Sequence, residues 1–125
     1  MRTYPEWILT VEGLKEIEKK LPLFQFPESY LEVVEQGVVD IGNWFLLSDD
    51  LVKGRHFDMK RYNKWKLVPF AGRYDCDDVA CFDTRHGQRV FIVHDGADPD
   101  RLLRGEFETF TDWYNSAMEE PVEDE

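Results

Sequence analysis

Apolar positions between residues 67 and 94 fall into three short continuous runs separated by polar turns. Residues 67–71 (LVPFA) and 79–82 (VACF) flank the turn 72–78 (GRYDCDD), in which aspartate is the commonest residue, and 89–94 (RVFIVH) follows across 84–88. Connections this short join antiparallel neighbours, so the pattern predicts a three-strand meander. The middle run lies between two partners, and its unbroken apolarity predicts a strand covered on both faces. Pro69 cannot donate to a ladder, which places it at a sheet edge or a bulge.

Two more strands are expected upstream, 38–41 and 44–47, closed by Gly42-Asn43 with the first turn residue at positive φ. Helical spacing governs the remainder. Val11, Leu14, Ile17 and Leu21 define a first helix capped by Thr10, with Glu12 and Glu16 early, Lys19 and Lys20 late and Pro22 as its stop. Thr3 with Glu6 offers an earlier start as a capping box. A second helix begins at Pro27, buries Tyr30, Val33 and Val34 on one face, and stops at Gly37. Ser48-Asp49-Asp50 caps a third over 51–62, weakened by Gly54. Residues 94–100 (HDGADPD) are turn chemistry and predict a loop leaving the sheet. Thr109 with Asp112 then opens a last helix over 110–120, whose Phe110, Trp113, Tyr114 and Ala117 share one face. The expected fold is α+β: one domain over 1–125, a mainly antiparallel sheet of five to six strands with helices packed against it, and a mobile acidic tail at 121–125.

A length of 125 residues with 14% aromatic side chains suits one well-packed core without disulfides or metal. The formal charge of −11 is unevenly spread: residues 105–125 hold eight carboxylates and no cation, whereas 49–66 hold six cations against three carboxylates. A field of this sign repels phosphate backbones and favours a basic protein partner. Within 49–66, Lys53, Arg55, Lys60, Arg61, Lys64 and Lys66 with Tyr62 and Trp65 form a basic, aromatic patch. A single-strand binding surface would use such residues, but a solvated helix beside an acidic remainder accounts for them as well. No apolar run reaches the roughly 18 residues that span a bilayer, and the first 13 residues carry no leader pattern, so a soluble cytoplasmic protein with Cys76 and Cys81 reduced is expected.

Chemistry-bearing residues concentrate near the aspartate-rich turn. Asp75, Asp77, Asp78, Asp83 and Asp95 could gather around a hard cation, but their spacing lacks the pattern of a calcium loop, and turn capping explains them. A zinc set of Cys76, Cys81, His86 and His94 would need Cys81 to leave a packed strand face. Ser29, Ser48 and Ser116 occupy cap or helix positions rather than a nucleophile turn. His94-Asp95 at a strand end is the remaining candidate, against the reading of a histidine satisfied by backbone or carboxylate bonds. No catalytic residue, cofactor or metal is therefore expected.

Several of these pieces occur together in a familiar order: Glu12-x2-Lys15-x-Ile17-Glu18-x2-Leu21-Pro22, a Tyr-Leu helix ending at Gly37, Val68-Pro69-Phe70-Ala71, Asp77-Asp78-Val79-Ala80-Cys81-Phe82, Val90-Phe91-Ile92-Val93-His94-Asp95 and Phe110-x2-Trp113. Together they resemble the SUKH superfamily of cell-wall-assembly regulators and toxin-immunity proteins. The resemblance implies an α+β fold with a central sheet flanked by helices, and a non-enzymatic role. It implies a bacterial immunity protein that binds and neutralises a toxin, often a nuclease, whose basic surface would complement the acidic chain. Exposed loop residues on a rigid sheet commonly carry recognition, which selects Tyr74, Asp75, Asp77, Asp95 and Asp98 as the partner-binding set. The alternatives are an interaction or regulatory module of the same fold without a toxin partner, and a small metal-dependent enzyme using Asp75, Asp78, His94 and Asp95.

Overall fold

In a computed structural model describing residues 8–21, 23–85, 89–94 and 103–121, six strands form one sheet in chain order, every neighbouring pair antiparallel. They are β1 (Asp40–Ile41), β2 (Trp44–Leu46), β3 (Leu67–Arg73), β4 (Asp78–Asp83), β5 (Val90–His94) and β6 (Leu103–Phe107). Five helices accompany them: α1 (Val11–Glu18), α2 (Glu28–Glu35), α3 (Asp49–Asp58), α4 (Lys60–Lys64) and α5 (Phe110–Glu119). Strand alternation sorts the central side chains onto two faces. Val68, Phe70, Ala80, Phe82, Val90 and Ile92 enter the main core with α1, α2 and α5. Leu67, Val79, Cys81 and Val93 enter a second, smaller cluster with Tyr62 of α4. All six residues of β4 are buried, as a strand covered on both faces requires.

Pro69 sits in an interior strand, between β2 and β4, and the bulge is how the sheet accommodates it: the register slips between Pro69 and Ala71. Phe70 is the extra residue, and both it and Ala71 reach the helix-side core. There Phe70 stacks on Phe82 with ring centroids 4.2 Å apart, and Tyr30 and Phe110 meet both rings at centroid distances of 5.2–6.2 Å.

The local signals at the helix starts hold. Thr10, Ser48 and Thr109 each accept a hydrogen bond from a first-turn amide, at Gly13, Leu51 and Asp112 respectively. Gly42 and Gly37 take positive φ, as a tight hairpin and a helix stop require. One expectation is corrected. The single helix over 51–62 is two helices, broken at Met59, whose extended backbone lets its carbonyl start α4 by accepting from Tyr62 and Asn63. The break turns Tyr62 fully under the sheet, where burial of its ring outweighs helix continuity, so it cannot serve as a surface stacking platform. The sheet has the upper number of the five to six strands expected, the sixth not located from the sequence: β6 pairs with β5 along Val90–Val93, and Arg89 Nη2 meets Glu106 Oε2 at 2.9 Å. The Thr3–Glu6 capping box, the Pro22 stop, the centre of the 84–88 turn, the 95–100 turn and residues 122–125 lie outside the described residues. Pro121, at the start of the expected tail, accepts a hydrogen bond from Asn43 Nδ2 at 3.1 Å. No helix among the described residues is long and apolar enough to cross a membrane.

Candidate functional site

The turn between β3 and β4 is shaped by the residue that precedes it. Arg73 ends β3 with a largely buried side chain whose guanidinium lies 5.3 Å from the Trp44 ring centre. Its Nε and Nη2 donate to the two oxygens of Asp75 at 2.7 and 2.9 Å. Its Nη1 and Nη2 donate to the two oxygens of Glu120 at 2.9 and 2.7 Å. Both carboxylates are thus gripped in the planar, two-pronged manner that arginine allows and lysine does not. Asn43 completes the joint: its Nδ2 donates to Glu120 Oε2 at 2.9 Å and its carbonyl accepts from the Tyr74 amide at 3.0 Å. The Tyr74 hydroxyl donates to the Asp40 carboxylate while its ring packs on Phe45 at 4.8 Å. One guanidinium therefore ties together the β1–β2 hairpin, the β3–β4 turn and the end of α5.

The electrostatics follow from that geometry. Hydrogen bonds from Arg73 hold the Asp75 carboxyl down at about 2, and the same donor followed by Asn43 lowers that of Glu120. Arg73 is in turn driven further above its ordinary range by Asp75 and then Glu120. Asp40, Asp75 and Asp77 remain exposed at this end of the sheet. Burial, with the Asp78 and Asp75 charges nearby, pushes the Cys76 thiol up, opposite to the shift that activates a cysteine nucleophile.

Of the residues selected from sequence, Tyr74, Asp75 and Asp77 stand together on this turn, whereas Asp95 and Asp98 lie outside the described residues. His94 and Asp78 are cross-strand partners, His94 Nδ1 lying 2.9 Å from Asp78 Oδ1, so this histidine is engaged by a carboxylate at the sheet end. Among the described residues no group of three or more His, Cys, Asp or Glu side chains is arranged to hold a metal ion. Arg73, Asn43, Asp40 and Glu120 were not singled out from sequence. Only the Arg73–Asp75 pair is local; the other bonds of the clamp join positions 31 to 78 residues apart.

A cleft of about 260 Å³ opens beside the clamp, between Trp44, Gly105, Trp113 and Glu120. Trp44 and Trp113 meet edge to face at 5.5 Å along one wall. The site is thus an acidic, pre-shaped turn beside an aromatic recess. No protein-family model, curated protein or solved structure matches the chain.

Proposed function

We propose that this chain is a non-catalytic binding protein of the immunity type, with a SUKH-like fold, that neutralises a toxin by covering its basic surface. The observation that carries the reading is the clamped acidic turn. Asp75 and Asp77 are exposed on a segment whose backbone is held through Arg73, Glu120 and Asn43, so little conformational entropy is lost when a partner docks. The surrounding charge supports it: the formal balance of −11 draws a cationic surface in and speeds encounter. The antiparallel α+β architecture agrees with the fold that the sequence resemblance implies. A nuclease is the natural occupant, since the basic cleft that grips nucleic acid is the surface an acidic protein blocks.

Co-expression with the product of an adjacent toxin gene tests the reading. A stable complex and restored growth are expected, with association slowing as salt is raised. Asp77→Lys, on an exposed turn position, should weaken the complex while leaving the melting temperature unchanged. Absence of both complex and rescue sinks the proposal.

A further inference from the structure

At the opposite end of the β3–β4 ladder from the acidic turn, a second cleft of about 490 Å³ lies between the segment after α1, the helices α3 and α4, and the chain leaving β4. That volume is in the range of small-molecule sites. Lys20, Lys66 and Arg85 bring three cations to its rim, while Leu21, Leu23 and Phe57 supply an apolar wall. No carboxylate is among the described residues lining it, in a chain with 26 acidic and 15 basic side chains. Charge is thus segregated here against the composition.

The backbone supplies an independent observation. Leu23 at φ 65° and Lys66 at φ 59° are the non-glycine residues with positive φ among those described, and both line this cleft. Each left-handed position is sterically unfavourable for an L-residue, a strain that concentrates at functional sites. Lys66 is held in it by Thr84, whose amide and hydroxyl both donate to the Lys66 carbonyl, at 3.0 and 2.8 Å. Leu23 leaves its whole side chain exposed, so burial of that side chain does not explain its conformation.

The groups between them suit an anion. Arg85 is oriented by the buried Asp83, which accepts from its Nε at 3.1 Å, and Lys20 hangs 5.8 Å from the centre of the Phe57 ring. His56 lies 2.7 Å by Nδ1 from the Leu67 carbonyl, an acceptor that selects the tautomer with its proton on Nδ1. Burial lowers the pKa of this ring, so His56 is neutral and contributes a hydrogen-bonding surface rather than a charge.

We infer that this cleft binds a small organic anion, a carboxylate or phosphate carried on an apolar body, with Lys20, Lys66 and Arg85 meeting the charge and Leu21, Leu23 and Phe57 the body. The site is separate from the clamped turn and does not depend on the function proposed for it. The test is an amide-resolved NMR titration of the full chain with octanoate and with octyl phosphate, using octanol and octylammonium as controls. Saturable shifts around residues 20, 66 and 85 are expected with the anions, and the tighter of the two identifies the headgroup. Lys66→Gly removes the cation but accepts the left-handed backbone at no steric cost, so it should melt no lower than the parent. Lys20→Met keeps the apolar stem. Each variant should bind the anions roughly tenfold more weakly, the loss expected for one charge-assisted hydrogen bond. The inference is overturned if neither anion binds at millimolar concentration. Equal binding of octanol, or of the anions to well-folded variants, overturns it too, because the cleft would then be an apolar crevice alone.

Discussion

Arg73 holds two carboxylates, Asp75 and Glu120, at the acidic end of the molecule, and its effect depends on pH in a definite direction. Asp75 and Glu120 both have folded-state pKa values below their ordinary ones, so their pairing stabilises the fold above the usual carboxylate range and is lost as pH falls through the depressed values. Stability of the parent protein should therefore decline between about pH 4 and pH 2 as the clamp is protonated. Arg73→Met keeps the packing against Trp44 and removes the donors. It should cost about 1 kcal/mol at neutral pH, the scale of a partly exposed ion pair, and flatten that decline. Melting temperature followed against pH in both proteins reads the difference; parallel curves would show that the clamp contributes nothing.

Two glycines at positive φ separate backbone strain from close approach. A Cβ at Gly42 would lie 2.5 Å from the Ala117 carbonyl oxygen, whereas at Gly37 it would meet nothing within 4 Å. Gly37→Ala should thus cost about 1–2 kcal/mol from the left-handed conformation alone. Gly42→Ala should cost about 2–4 kcal/mol, because α5 must also shift away from the hairpin. Chemical denaturation of the two variants gives the comparison directly.

Among the elements, α3 is the one whose sequence argues least for it. Ser48 caps it well, yet Gly54 sits in its interior and its buried residues are Val52 and His56 alone. A Cβ at Gly54 would make only an ordinary contact with Asp58, 3.8 Å away. Gly54→Ala should accordingly stabilise the protein by about 0.5–1 kcal/mol, visible as a higher denaturation midpoint with an unchanged slope. The caps at Thr10, Ser48 and Thr109 and the Gly42-Asn43 hairpin could be read from sequence because each acts within three residues. The break at Met59 could not, since it exists to bring Tyr62 onto Leu67 and Val79, partners that sequence spacing does not reveal. β6 was missed for a related reason. Its sequence, LRGEF, carries a glycine and two charges, and it is a strand only because β5 offers an unpaired edge.

For the whole molecule, a sheet ordered in sequence from β1 to β6 places β4 between two long partners and under two apolar clusters. Its amides should be the slowest to exchange with solvent, close to the limit of global unfolding, while those of the edge strands β1 and β6 exchange by local opening. Native-state hydrogen exchange would contradict this picture if β1 or β6 were protected as strongly as β4. The same arrangement gives the protein two ends, with the clamped acidic turn at one end of the β3–β4 ladder and the cationic cleft at the other.

What residue order decided by itself was everything governed by short-range periodicity and capping: the three central strands, the first hairpin, the starts of α1, α3 and α5, and the double burial of β4 implied by its unbroken apolar run. The acidic turn was visible for the same reason, as aspartates bunched between two strands. Tertiary structure alone decided which charges on that turn are held and by what. Asn43, Arg73 and Glu120 meet only after the hairpin, the sheet and α5 have packed, and the strength of their bonds depends on a mutual geometry that no local pattern encodes.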